Sequence, residues 1–283
     1  IGMTNTIKLH FLYSFLTISF ASLLVSEPFE STYQPLAQEN ILIRNASIYD
    51  GDGNEYKNTD VLVQNGVIVA VGEDLPITQD FKIIDATDKW VTPGIIDIHS
   101  HMGVYPAPGV NTSSDGNEAT SPVTADVWAE HSIWVQDPQY ALALTGGITA
   151  FHILPGSANL IGGRGVTVKN IQRNTINSMK FPRAPHSLKM ACGENPKRVY
   201  GNRGQAPSTR MGNAAGYRKA WIKAEGYLRN ITEYDEKSDE AKELEYAPKR
   251  DLEMETLAGV LDGEILVHNH CYRADEMATM IDI

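Results

Sequence analysis

Cysteine is scarce: the 283 residues contain two, Cys192 and Cys271. That number excludes a disulfide framework and a cysteine-rich zinc ribbon. Two such residues read as small buried hydrophobes, with a single bridge as the alternative in an exported chain. Excess positive charge is also missing. Against 24 Lys and Arg stand 35 Asp and Glu, for a net charge of −11. No nucleic-acid partner is therefore expected, because polyanions need clustered cations. A phosphate-cradling loop is absent too, since neither Lys-Ser/Thr nor a strand-to-helix context follows Gly162-Gly163-Arg164-Gly165. Ser113 and Ser114 have no evident His and Asp companions, which speaks against a serine hydrolase. A hydrophobic run of comfortable membrane-spanning length is lacking as well. Residues 9–25 form an uncharged, mostly apolar stretch behind Lys8, shorter than the ~20 residues of a typical span. This order predicts an export signal within residues 1–26, with membrane anchoring through residues 9–25 as the alternative. Three Asn-x-Ser/Thr triplets, at Asn45, Asn111 and Asn230, would accept glycans on a eukaryotic secretory route.

What is present divides the chain. Residues 27–40 are rich in Ser, Pro, Glu and Gln without periodicity and read as a linker. Residues 41–92 predict short strands at 41–49, 60–64, 67–72, 82–86 and 90–91, with Asn65-Gly66 as a hairpin turn. Such a unit reads as a small β-sandwich-like domain with no metal or nucleophile cluster. From residue 93 the pattern becomes strands alternating with helices, the grammar of a parallel α/β barrel. Strands are expected at 94–98, 148–154, 187–192 and 263–270, and Val166–Lys169 could add another. A TIM barrel needs eight strand–helix units, so the fold class predicted for 93–283 is α/β with a partial TIM barrel. The remaining strands are expected beyond Ile283.

Pro93-Gly94-Ile95-Ile96-Asp97-Ile98-His99-Ser100-His101 carries the strongest chemical signal. Alternate residues of a strand share a face, so His99 and His101 project together as half of a zinc-type shell. Two later strands end in polar groups, at Gly193-Glu194-Asn195-Pro196 and at His268-Asn269-His270. Ligands converging from several strand ends, with an open position for water, suit a hydrolytic metal site. The bland assignments are His152 as a core or pocket residue, His131 and His186 as surface or loop residues, and Glu233–Glu245 as a solvated helix face. Gly162–Gly165 reads as a flexible active-site loop, with Arg164 as a substrate-carboxylate contact.

The run Val91–His101 resembles the signature of the amidohydrolase superfamily. From Ile41 onward the chain is similar to exported relatives of imidazolonepropionase within it. The resemblance extends through Gly146–Thr149, Pro155–Gly163, Gly193–Arg198 and His270–Glu276. It implies metal-dependent hydrolysis of C–N bonds in small amide or peptide-like substrates, with zinc the expected ion. Residue by residue, His99 and His101 match the paired ligands, Glu194 the carboxylate ligand and His270 the fifth-strand histidine. Lys189, placed as a carboxylated lysine would be, is the alternate to Glu194, and His268 the alternate to His270. The family's sixth-strand histidine and proton-accepting aspartate have no counterpart up to Ile283. An inactive barrel fragment or non-catalytic binding protein is the rival reading, and homo-oligomerisation is left open.

Overall fold

Alternating apolar residues around Asn65-Gly66 close a tight hairpin of the computed structural model, which describes residues 29–76 and 80–283. The expected export segment lies outside the described residues. Both turn residues take positive φ, 50° at Asn65 and 77° at Gly66, as a tight hairpin requires. β1 (Ile41–Tyr49), β2 (Glu55–Gln64), β3 (Val67–Gly72), β4 (Lys82–Asp85) and β5 (Trp90–Val91) form one mixed sheet. Its order is β3-β2-β1-β4, with β5 also pairing β1. β2 runs antiparallel to β1 and β3, whereas β4 and β5 are parallel to β1. Ala46, Ile48, Val61 and Ala86 form its buried cluster.

The second sheet is a curled half-barrel built from β6 (Ile95–Ser100), β7 (Ile148–Ile153), β8 (Ile161–Lys169), β9 (His186–Ala191) and β10 (Ile265–His270). Its order is β10-β9-β8-β7-β6. β6–β7 and β9–β10 pair in parallel, and β8 is antiparallel to both its neighbours. One expectation fails here: Gly162–Gly165 is not a flexible loop but part of a buried strand. Gly163 has φ 109°, and a Cβ there would stand 2.4 Å from the Val127 carbonyl oxygen. The glycines permit a close backbone approach, sealed by Arg164 N–H donating to Val127 O at 2.8 Å.

Helices cover the sheet. α1 (Gln139–Thr145) leads into β7, and α2 (Glu194–Gly201), α3 (Arg210–Asp235), α4 (Asp239–Lys242) and α5 (Leu252–Leu261) separate β9 from β10. α6 (Ala274–Asp282) follows β10. α3 begins where the Thr209 hydroxyl accepts from Gly212 N–H, and α5 where Asp251 accepts from Glu253 and Met254 N–H. Tyr217, Ala220 and Ala224 recur at helical spacing on α3 and pack with Leu257 against Leu188 and Met190. No helix among the described residues is long and apolar enough to cross a membrane.

A second correction concerns the cysteines, which are joined as a Cys192–Cys271 disulfide with Cα atoms 5.1 Å apart. β9 and β10 pair in a register that ends at Ala191 opposite His270. The next residue on each strand is a cysteine, so strand pairing brings together two residues far apart in sequence.

The stretch read as a linker is docked. Thr32 N–H donates to Asn177 O at 2.9 Å, and Lys180 Nζ donates to Phe29 O at 2.7 Å. Lys180 also pairs with Glu130 at 2.7 Å, the side chains being 7% and 5% exposed. Lys180→Met is expected to destabilise the fold by about 3–5 kcal/mol, because it leaves a buried carboxylate without its partner. Adding Glu130→Leu should recover most of that loss in chemical denaturation. A double variant no more stable than the single one would show that the pair does not act in this way.

Candidate metal centre

Strand alternation turns the histidines and one lysine toward a common mouth. His99 lies in β6 and His101 just beyond it, with ring centroids 5.3 Å apart at 82°. Lys189 of β9 is 1% exposed, and its Nζ lies 2.9 Å from His99 Nε2. β10 sets His268 opposite Lys189 and His270 opposite Ala191. The five side chains therefore come from β6, β9 and β10, at the carboxyl ends where barrel sites form.

Burial governs their charge. Desolvation, then Lys189 and the neighbouring imidazoles, push the His99 pKa down to about 4. Desolvation also lowers His101, His268 and His270, with Lys189 adding to each. Lys189 itself is pushed down to about 8 by desolvation. Its only hydrogen-bond partner among the described residues is His99 Nε2, and no carboxylate pairs with it. Neutral imidazoles and a readily deprotonated amine are what a cation-binding site needs.

The donor set also has outer support. His101 Nδ1–H donates to Leu154 O at 2.8 Å, which leaves Nε2 with the free lone pair. Behind His268, the ring of His152 lies 4.5 Å away, tilted by 31°. His152 is fixed through Nδ1 to Thr167 Oγ1 at 2.9 Å and through Nε2 to Ser187 Oγ at 2.8 Å. Among the described residues no three His, Cys, Asp or Glu side chains stand close enough to hold a metal without help. The amine of Lys189 occupies the middle of the imidazole group, so the donor chemistry fits a metal only if Lys189 takes part.

Glu194 sits elsewhere. It opens α2, is exposed, and lines a cleft of about 440 Å³ with Lys197, Arg198 and Arg210. The left-handed turn at Gly193 (φ 70°), where a Cβ would stand 2.5 Å from the Glu276 carboxyl, precedes it. Asn195, which sequence reasoning passed over, reaches the site instead. Its Nδ2 donates to Ser157 Oγ at 2.7 Å and lies 3.4 Å from both His270 Nε2 and Tyr272 OH. Its place beside Glu194, just past the end of β9, was the available signal.

Arg164 also lies away from the histidines named above. It is 2% exposed, stacks 4.3 Å over Trp128, and lines a cavity of about 420 Å³ with Glu130 and Lys180. The histidines border a different cavity, of about 680 Å³, where His99 and His270 meet Met190, Trp221, Met277 and Met280. His131 stacks on Trp128 at the surface, and His186 begins β9.

Comparison with known proteins agrees with this architecture. The chain is 36% identical over 273 residues to amidohydrolase tasK of Hapsidospora irregularis, covering 85% of this chain and 27% of that protein. It is 39% identical over 85 residues to dihydropyrimidinase 1 of Caenorhabditis elegans, covering 30% and 17% respectively. The crystal structure of an amidohydrolase from Thermotoga maritima MSB8 superposes with a TM-score of 0.76 at 40% identity, covering 86% of this chain and 61% of that one. No family model matches. The chain belongs to the amidohydrolase superfamily. It spans about a quarter of the length of the first of these curated relatives.

The buried histidines give a pH prediction. The folded pKa of His152 is about 4 against an ordinary 6.5, so the unfolded chain binds the extra proton between these values. Stability therefore falls as pH drops through that window and is level above it. Thermal unfolding of the metal-free chain should show this fall, and His152→Gln should flatten it. An identical pH slope in the variant would exclude His152 as a source.

Proposed function

We propose that this chain carries the metal-binding portion of an imidazolonepropionase-like amidohydrolase acting on C–N bonds of small amide or peptide-like substrates. The observation that carries the reading is the buried Lys189 amine among His99, His101, His268 and His270, with no carboxylate partner. His99, His101, His270 and Lys189 would hold the ion, with zinc the ion favoured by an imidazole-rich set. His268, packed against His152, is the alternate ligand. Lys189 is preferred to Glu194 because it lies against His99, whereas Glu194 lines the separate cleft.

In this reading the neutral amine of Lys189 attacks carbon dioxide, a C–N bond forms, and one proton is released. The resulting carbamate offers oxygen donors where a free amine offers none. A divalent ion bound there would supply Lewis-acid polarisation of the substrate carbonyl and lower the pKa of water. The protein's own part is to orient His101 through Leu154, fix His152 behind His268, and present Asn195 and Tyr272 at the mouth. Export is proposed as the location, with membrane anchoring as the alternative. The Cys192–Cys271 bridge supports an oxidising compartment.

Metal analysis after zinc loading tests the site. The wild-type chain should retain zinc, His99→Ala, His101→Ala and Lys189→Ala should lose it, and Glu194→Gln should keep it. Carbon NMR with isotope-labelled bicarbonate should show a carbamate signal that Lys189→Ala lacks. Zinc lost in Glu194→Gln but retained in Lys189→Ala would reverse the assignment. A zinc-loaded chain inert toward dipeptides, N-acyl amino acids and cyclic ureides would favour the binding-protein reading.

A further inference from the structure

We propose that the Cys192–Cys271 disulfide is the positioning element of the metal centre, holding β10 and its His270 in register against β9 and Lys189. This rests on the reading of His270 and Lys189 as metal-binding groups. Among the described residues β10 pairs with β9. β10 carries His268 and His270, whose usefulness depends on a fixed distance from β6 and β9.

The bridge sits at the end of the strand where that distance matters. Cys271 directly follows His270, and Cys192 lies three residues beyond Lys189 on β9. Cys192 N–H donates to His270 O at 2.7 Å, so one residue is tied to β10 by both a hydrogen bond and a covalent link. The two cysteines are 79 positions apart, with α2, α3, α4 and α5 between them. Without the bridge, a long excursion of chain would have to set the strand spacing at its far end.

The surroundings protect the link. Cys192 is 3% exposed, and its Sγ lies 3.8 Å from Glu276 Oε2. Glu276 is itself 6% exposed at the side chain and paired with Arg210 at 2.5 Å. Burial keeps the Cys192 sulfur out of reach of a thiol nucleophile. The half-buried Cys271 is the more accessible sulfur. A structural tie is therefore expected to resist small thiols and yield to a phosphine. That reaction delivers two electrons and, with two protons from water, converts the disulfide to two thiols while the phosphine becomes its oxide.

The test uses the full chain, oxidised or treated with a water-soluble phosphine, with thiols counted by titration. Hydrogen exchange is followed on the peptide spanning 265–270, and zinc affinity by competition with a chelator. After reduction, β10 amides should exchange about tenfold faster or more, with β6–β8 unchanged. Zinc affinity should fall by about tenfold or more. The Cys192→Ala/Cys271→Ala variant should match the reduced chain, and reduction of the native protein decides the matter if that variant does not fold. Free thiols in the untreated chain, or unchanged β10 exchange with both thiols titrating, would overturn the proposal. So would faster exchange with unchanged zinc affinity. An oxidised chain that takes up no zinc while β10 loosens on reduction removes the metal reading, yet leaves the tie between the strands standing.

Discussion

The Lys189 ammonium is the group this sheet can least afford to leave charged. Nζ is buried 2.9 Å from His99 Nε2, with imidazoles from β6 and β10 around it and no carboxylate in contact. Desolvation disfavours every charged form in that space, and each imidazole held neutral lowers the cost of the next. The neighbours follow from this constraint. His101 is fixed by a backbone carbonyl, and His152 by two hydroxyls, so their polar atoms are satisfied without added charge. Burial thus favours the uncharged form of every group there, and the Lys189 amine, pushed down to about 8, gives up its proton far more readily than an ordinary lysine.

The half-barrel provides the rigidity for such a group. α3 and α5 pack their apolar faces behind β8 and β9, which places Leu188 and Met190 in the core on either side of Lys189 in sequence. β9 thus sets the lysine, while its neighbour β10 sets His270. The disulfide joins the two strands just past their last paired residues. The docked stretch around Thr32 and the buried Lys180–Glu130 pair brace a separate region, which Arg164 shares.

Much of the architecture was legible before any coordinates. The alternation around Asn65-Gly66, the paired histidines of β6 and the His-x-His end of β10 depend on local periodicity, and each forms where its pattern predicts. Legibility failed where one segment answers to another. Gly162–Gly165 looked like a loop because glycine has no side chain to show that Val127 lies against it. No local pattern showed that the turn at Gly193 brings Asn195 to within 3.4 Å of His270. Arg164 drew attention as a cation near glycines and is placed against Trp128.

Sequence alone determined the alternation of strands and helices and the His99-Ser100-His101 pair, because side-chain direction along a strand follows from backbone geometry. Tertiary structure decided the rest of the centre. It set Lys189 against His99, placed Glu194 in a cleft with Lys197, Arg198 and Arg210, and joined Cys192 to Cys271. Those outcomes depend on which strands lie side by side and in what register, a property of the assembled sheet that no single segment contains.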